Sequence, residues 1–185
     1  MENKPKVIAI AAVSGGGKTV TTHGLVIRVN GTKALFFDDY EFEESPEDIC
    51  EWVERGGDCN EWNITPMIKD LELILTDEST NYVVMDFPFA YLHDGMRDFI
   101  DLAIFIDTPL DVAMARRILR DFENGPVESI RNDLKSYLTR AREAYVHMER
   151  TVKPNSDIVI KGNLPTAIIV DMISKELAVR FSPLN

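Results

Sequence analysis

Eight consecutive residues, Ala12-Val13-Ser14-Gly15-Gly16-Gly17-Lys18-Thr19, have the types and spacing to hold a triphosphate. Glycines lack a side chain that would clash, so successive backbone N–H groups can turn inward around an anion. A Lys at the end of such a loop reaches the β- and γ-phosphate oxygens. The Thr hydroxyl after it can ligate Mg²⁺, a cation that prefers oxygen ligands. The loop follows an apolar run, Val7 to Ala11, and opens a helical pattern whose N-terminal dipole favours negative charge. Strand, loop, Lys-Thr and helix occur in the required order. The expected triphosphate contacts are Ser14, Gly15, Gly16, Gly17, Lys18, Thr19 and Val20. Ala12 stands where the strict motif has Gly, and a methyl is tolerable there if φ stays negative.

Other chemistry-bearing residues sit where further apolar runs end. Asp38 and Asp39 follow Ala34-Leu35-Phe36-Phe37. A carboxylate there can accept the proton of an attacking hydroxyl or hold a magnesium-bound water, and a solvated turn is the bland reading. Asp86 follows Tyr82 to Met85, the usual form of the second magnesium-associated carboxylate, so Thr19 and Asp86 are the expected metal residues. Arg116, Arg117 and Arg120 cluster on one helical pattern, at spacings that put Arg116 or Arg117 on one face with Arg120. Guanidinium groups suit the oxygens of a transferring phosphoryl group, and surface ion pairing is the competing use. Lys18, Asp38, Arg116 and Arg120 are the catalytic candidates, and Arg117 is a nucleotide-binding candidate. Trp52, Trp62, Phe87, Phe89 and Tyr91 could line an acceptor pocket, although most aromatics in such a chain are core. His23, His93 and His147 have no metal-ligand spacing.

The elements that must position these groups alternate. Strands are predicted at Val7–Ala12, Ala34–Phe37, Tyr82–Met85, Leu102–Ile106 and Asp157–Ile160. Helices are predicted from Lys18 to Val29, from Ser45-Pro46 to Gly56, from Thr65-Pro66, after Thr108-Pro109, from Glu128 to Glu149, and from Pro165 to Val179. Caps, Pro starts and Gly stops mark their ends. Apolar strands alternating with helices predict an α/β fold, a P-loop three-layer sandwich with five parallel strands and helices on both faces. In such sheets ligands sit beyond the carboxyl ends of the strands. With no linker, repeat or low-complexity segment, residues 1–185 are read as one domain.

Composition bounds the partners. The chain has 185 residues with a formal net charge of −11, which argues against a general nucleic-acid binder. No run of 18 apolar residues predicts a membrane span, and the N-terminus has no signal-type core. Cys50 and Cys59 form neither a disulfide framework nor a zinc set, and predict reduced thiols in a cytoplasmic protein. Self-association is left open.

Taken together, Val13 to Thr19, Phe37-Asp38-Asp39-Tyr40, Phe105-Ile106-Asp107-Thr108-Pro109, Arg116-Arg117-Ile118-Leu119-Arg120-Asp121 and Lys153 to Ile160 resemble the uridine kinase and phosphoribulokinase group of P-loop kinases, especially its short bacterial members. The resemblance covers most of the chain. It implies ATP and Mg²⁺ as cofactors and γ-phosphoryl transfer to a hydroxyl of a small, nucleoside-like molecule. It also implies Asp38 near the acceptor hydroxyl and Arg116, Arg117 and Arg120 as lid and phosphate arginines. Three departures stand out: Ala12, the Asp86-Phe87-Pro88 run where the group's nucleoside kinases often have Glu-Gly, and a Phe122–Pro126 segment without basic residues. Uridine is therefore not assumed as the acceptor.

A small-molecule kinase is the leading expectation, and a regulatory ATP-binding module or slow ATPase is the alternative. A GTPase switch would need an Asn-Lys-x-Asp segment, which is missing. A nucleoside monophosphate kinase would need basic residues between Tyr40 and Thr65, where Arg55 stands alone among acids. That favours a neutral or cationic acceptor.

Overall fold

In a computed structural model the chain is described over residues 4–181. Five strands form one sheet: β1 (Lys6–Ala11), β2 (Thr32–Phe36), β3 (Tyr82–Asp86), β4 (Leu102–Asp107) and β5 (Ile158–Lys161). Their order is β2-β3-β1-β4-β5 and every pairing is parallel. Eight α-helices alternate with them: α1 (Lys18–Arg28), α2 (Ile49–Glu54), α3 (Thr65–Leu75), α4 (Asp94–Arg97), α5 (Leu110–Asp121), α6 (Val127–Ser136), α7 (Arg142–Thr151) and α8 (Thr166–Phe181). The three-layer α/β sandwich expected from the alternation is the observed fold.

The period-2 geometry of a strand sends β1 into two cores. Val7, Ala9 and Ala11 face a cluster with Val83, Met85, Ala103 and Phe105 that α3 covers with Met67 and Leu71. Ile8 and Ile10 face the opposite cluster, where Leu25 of α1 and Ile169, Val170, Ile173 and Leu177 of α8 close the other side. Strands buried on both faces read as continuous apolar runs, which is why β1, β3 and β4 were legible. Each fully buried Ile or Leu contributes about 1.5–3 kcal/mol, and truncating one to Ala costs roughly 2–5 kcal/mol.

Two local features differ from expectation. The polar helix expected from Glu128 to Glu149 is interrupted by a π turn at Tyr137–Ala141, between α6 and α7. Such turns re-aim side chains, and Arg140 of this one reaches Asp48 and Glu54 of the α2 segment. The helix expected from Ser45-Pro46 begins later, at Ile49, where the Asp48 carboxylate accepts from the N–H groups of Cys50 and Glu51. That is an ordinary N-cap, satisfying donors the helix start leaves free.

Candidate active site

The loop between β1 and α1 leaves the centre of the sheet at its carboxyl edge. Gly15 and Gly17 have φ values of 75° and 102°, in the left-handed region that favours glycine. Gly16 donates to the Val13 carbonyl at 2.8 Å, closing the turn. A Cβ on Gly16 would press on the Ala12 methyl, and one on Gly15 would fall on the Ala113 carbonyl of α5. Ala12 keeps φ negative and is buried, so its methyl fills the floor of the loop without distorting it.

The loop walls a cleft of about 730 Å³. Ser14 to Thr21 line it, and so do Asp38, Arg116 and Arg120. The sequence-predicted Ser14, Gly15, Gly16, Gly17, Lys18, Thr19 and Val20 therefore line the same cleft as two of the three arginines. Asp86 lies deeper, 2% exposed. Its Oδ2 accepts from the Thr19 hydroxyl at 2.6 Å, and Lys18 Nζ lies 3.5 Å from Oδ1. Oδ1 itself is buried and accepts no hydrogen bond. A buried carboxylate oxygen without a donor is costly, and a hydroxyl and a carboxylate are the hard oxygen donors Mg²⁺ takes. The donor set therefore fits a magnesium ion.

A smaller cavity of about 250 Å³ adjoins this one, lined by Thr19, His23, Phe36, Asp38, Asp39 and Asp86. Asp38 is exposed and lines both cavities, at the short 3₁₀ turn Phe37–Asp39 that ends β2. Arg120 is held through Nε by Asp121 at 2.6 Å. That bond, with the more distant charge of Asp38, keeps its guanidinium firmly protonated. Arg116 donates to the Gly162 carbonyl at 3.1 Å.

Arg117 is placed differently from Arg116 and Arg120. It was expected at the nucleotide, yet it is absent from the lining of the cleft. Its guanidinium is committed to Asp133 of α6, and it also approaches Asp121. One position along a helix turns a side chain by about 100°, so Arg117 projects to one side of Arg116 and reaches α6.

Most of the aromatic residues are core, while Trp62 also lines a separate cavity of about 320 Å³ with Asn60, Glu61 and His93. Phe37, Trp52, Phe87 and Phe89 are buried, and Trp62 packs among them with centroid separations of 5.3 Å to Phe37 and 5.7 Å to Phe89. Tyr91 instead donates to Asp157 at 2.6 Å. Asp107, at the end of β4, pairs with Lys153 at 2.6 Å.

The segment from β5 into α8 was missed. Gly162, Leu164, Thr166 and Ile169 also line the larger cleft. The strand-end rule that singled out Asp38 and Asp86 would have found Gly162 had it been applied to the last strand. His23, whose ring packs at a tilt on Phe36 with centroids 4.5 Å apart, was also missed as a cavity residue.

The chain is similar over most of its length to known kinases. A uridine kinase of Leuconostoc citreum strain KM20 is 25% identical over 200 residues, covering 94% of this chain and 95% of that protein. A uridine kinase of Ligilactobacillus salivarius is 23% identical, covering 93% and 92%. Among solved structures, a sugar kinase from Janibacter superposes with a TM-score of 0.58 at 17% identity, covering 95% of this chain and 96% of that one. A gluconokinase from Sinorhizobium meliloti superposes with a TM-score of 0.53 at 14% identity, covering 96% and 98%. These two share the fold. The profile of the phosphoribulokinase / uridine kinase family matches residues 70–169, from α3 into α8, and the chain belongs to that family of P-loop kinases.

Proposed function

We propose that this chain works as one catalytic domain that moves the γ-phosphate of ATP to a hydroxyl of an unphosphorylated small molecule. A nucleoside is the first acceptor to test, because the curated relatives are uridine kinases. The observation that carries the reading is the position of Asp38, which lines both the phosphate-loop cleft and the smaller acidic cavity beside it. A donor in one and an acceptor in the other would meet at that carboxylate.

In this reading Lys18 and the loop N–H groups hold the β- and γ-phosphates, and Arg116 and Arg120 face them from α5. Asp38 accepts the hydroxyl proton as the new O–P bond forms, while the bond to the β–γ bridging oxygen breaks and ADP leaves. Phosphoryl transfer has a loose transition state, so positioning and charge neutralisation supply most of the catalysis. Thr19 and Asp86 would hold Mg²⁺, which supplies neutralisation of the triphosphate charge. The smaller cavity has three carboxylates and no Lys or Arg in its lining, which supports an acceptor without a phosphate of its own.

The test is ADP release from MgATP with a panel of nucleosides, sugars and amino alcohols. Strong stimulation by one of them, with the phosphorylated acceptor recovered, is expected. A slow release that no acceptor changes would instead favour an ATP-binding regulatory module.

A further inference from the structure

The Thr108 hydroxyl donates to the Gly16 carbonyl at 2.8 Å, across 92 residues of sequence. Thr108 is 2% exposed, lies between β4 and α5, and lines neither cavity of the candidate site. The carbonyl is therefore drawn away from the cleft. In a trans peptide the N–H of the next residue points opposite to that carbonyl. Turning the Gly16 oxygen back toward Thr108 thus turns the Gly17 N–H the other way, into the cleft that Gly17 lines.

That orientation needs a lock. Glycine reaches left- and right-handed backbone at similar cost, so a peptide between two glycines turns over easily. A flipped Gly16–Gly17 peptide would aim a carbonyl dipole at the phosphates in place of a donor. The only turn-closing bond in the loop, from Gly16 N–H to Val13, leaves the Gly16 carbonyl to be held from elsewhere among the described residues. Thr108 is itself held. Its own N–H bonds the Ile106 carbonyl at 3.1 Å, and Gly162 packs so closely behind it that a Cβ there would overlap the hydroxyl. Gly162 in turn donates to the Asp107 carbonyl and accepts from Arg116.

We infer that Thr108 is a positioning residue of the phosphate loop: its hydroxyl holds the Gly16 carbonyl and so keeps the Gly17 N–H presented to the nucleotide phosphates. The inference rests on the kinase reading. It also joins loop, β4 end and Gly162 into one unit, so that Arg116 is registered against the same loop it serves.

The experiment is calorimetric titration of the purified full chain with MgADP, run beside a thermal melt without nucleotide. Thr108→Val keeps the shape and removes the donor. It should weaken MgADP binding by about tenfold or more, on the scale of one buried hydrogen bond. Thr108→Ser restores the hydroxyl and should bind within about threefold of wild type. Thr108→Cys, a poor donor of similar size, should fall between them and carries the test if the Val variant does not fold. A melt shift without an affinity change in the Val or Cys variant overturns the inference in favour of simple packing. So does a Ser variant as weak as Val. A wild-type chain that binds no MgADP overturns the kinase reading and this inference together. Tight wild-type binding with an unaffected Thr108→Val overturns the inference alone.

Discussion

The Thr19 hydroxyl and the Asp86 carboxylate meet at 2.6 Å, joining the first turn of α1 to the end of β3 across 67 residues of sequence. Both groups are oxygen donors beside Lys18, and one Asp86 oxygen is left without a donor. Asp86→Asn should therefore lower kcat/KM by roughly 10–100-fold and raise the magnesium concentration needed for half-maximal rate. Turnover measured against magnesium at fixed ATP checks this. An Asn variant with an unchanged magnesium profile would remove Asp86 from the metal.

Lys18 Nζ lies 3.5 Å from the Asp86 carboxylate. Lys18→Ala should drop transfer by on the order of 10²–10³-fold, the scale of losing one preorganised charge at a reacting phosphoryl group. Near-normal phosphoryl transfer by that variant would sink the assignment.

Gly15 and Gly56 offer a matched pair. Both have positive φ, but a Cβ on Gly56 meets nothing within 4 Å while one on Gly15 strikes the Ala113 carbonyl. Gly56→Ala should cost only left-handed strain, about 1–2 kcal/mol. Gly15→Ala should cost more and should also abolish nucleotide binding, because loop or α5 must move. Chemical denaturation of both variants, with MgADP titration, separates strain from collision.

Arg140 bridges the π turn to Asp48 and Glu54. Its hydrogen bond is the main reason Glu54 titrates low. For Asp48 the Glu51 N–H comes first and Arg140 second. A carboxylate with a lowered folded pKa stabilises the fold above its unfolded range and loses that contribution as pH falls through the folded value. Arg140→Ala should therefore lower Tm near neutral pH, with the difference from wild type vanishing at pH below the usual carboxylate range. These groups are exposed, so high salt should shrink the difference too.

Local pattern carried much of this site. Strand ends at Asp38 and Asp86, the Gly-Lys-Thr run and the face shared by Arg116 and Arg120 are all set by short-range spacing. The pairing of Arg117 with Asp133, 16 residues away on another helix, was not legible because it depends on how two helices pack. The Trp52, Trp62 and Phe89 rings could be read as pocket or core, since a ring's neighbours come from tertiary packing. The Gly162 lining of the cleft and the Thr108 bond likewise join segments far apart in the chain, and no periodicity announces them. The π turn at Tyr137–Ala141 leaves no Gly or Pro to mark it.

The strand order β2-β3-β1-β4-β5 also divides the cleft by rigidity. The phosphate loop grows from β1, which is paired on both sides and fed by both cores, the part of such a fold that opens last. Asp38 follows one edge strand and Gly162 the other. The centre is thus the stiff grip, and the two rims are where substitutions can change what is gripped without loosening the hold.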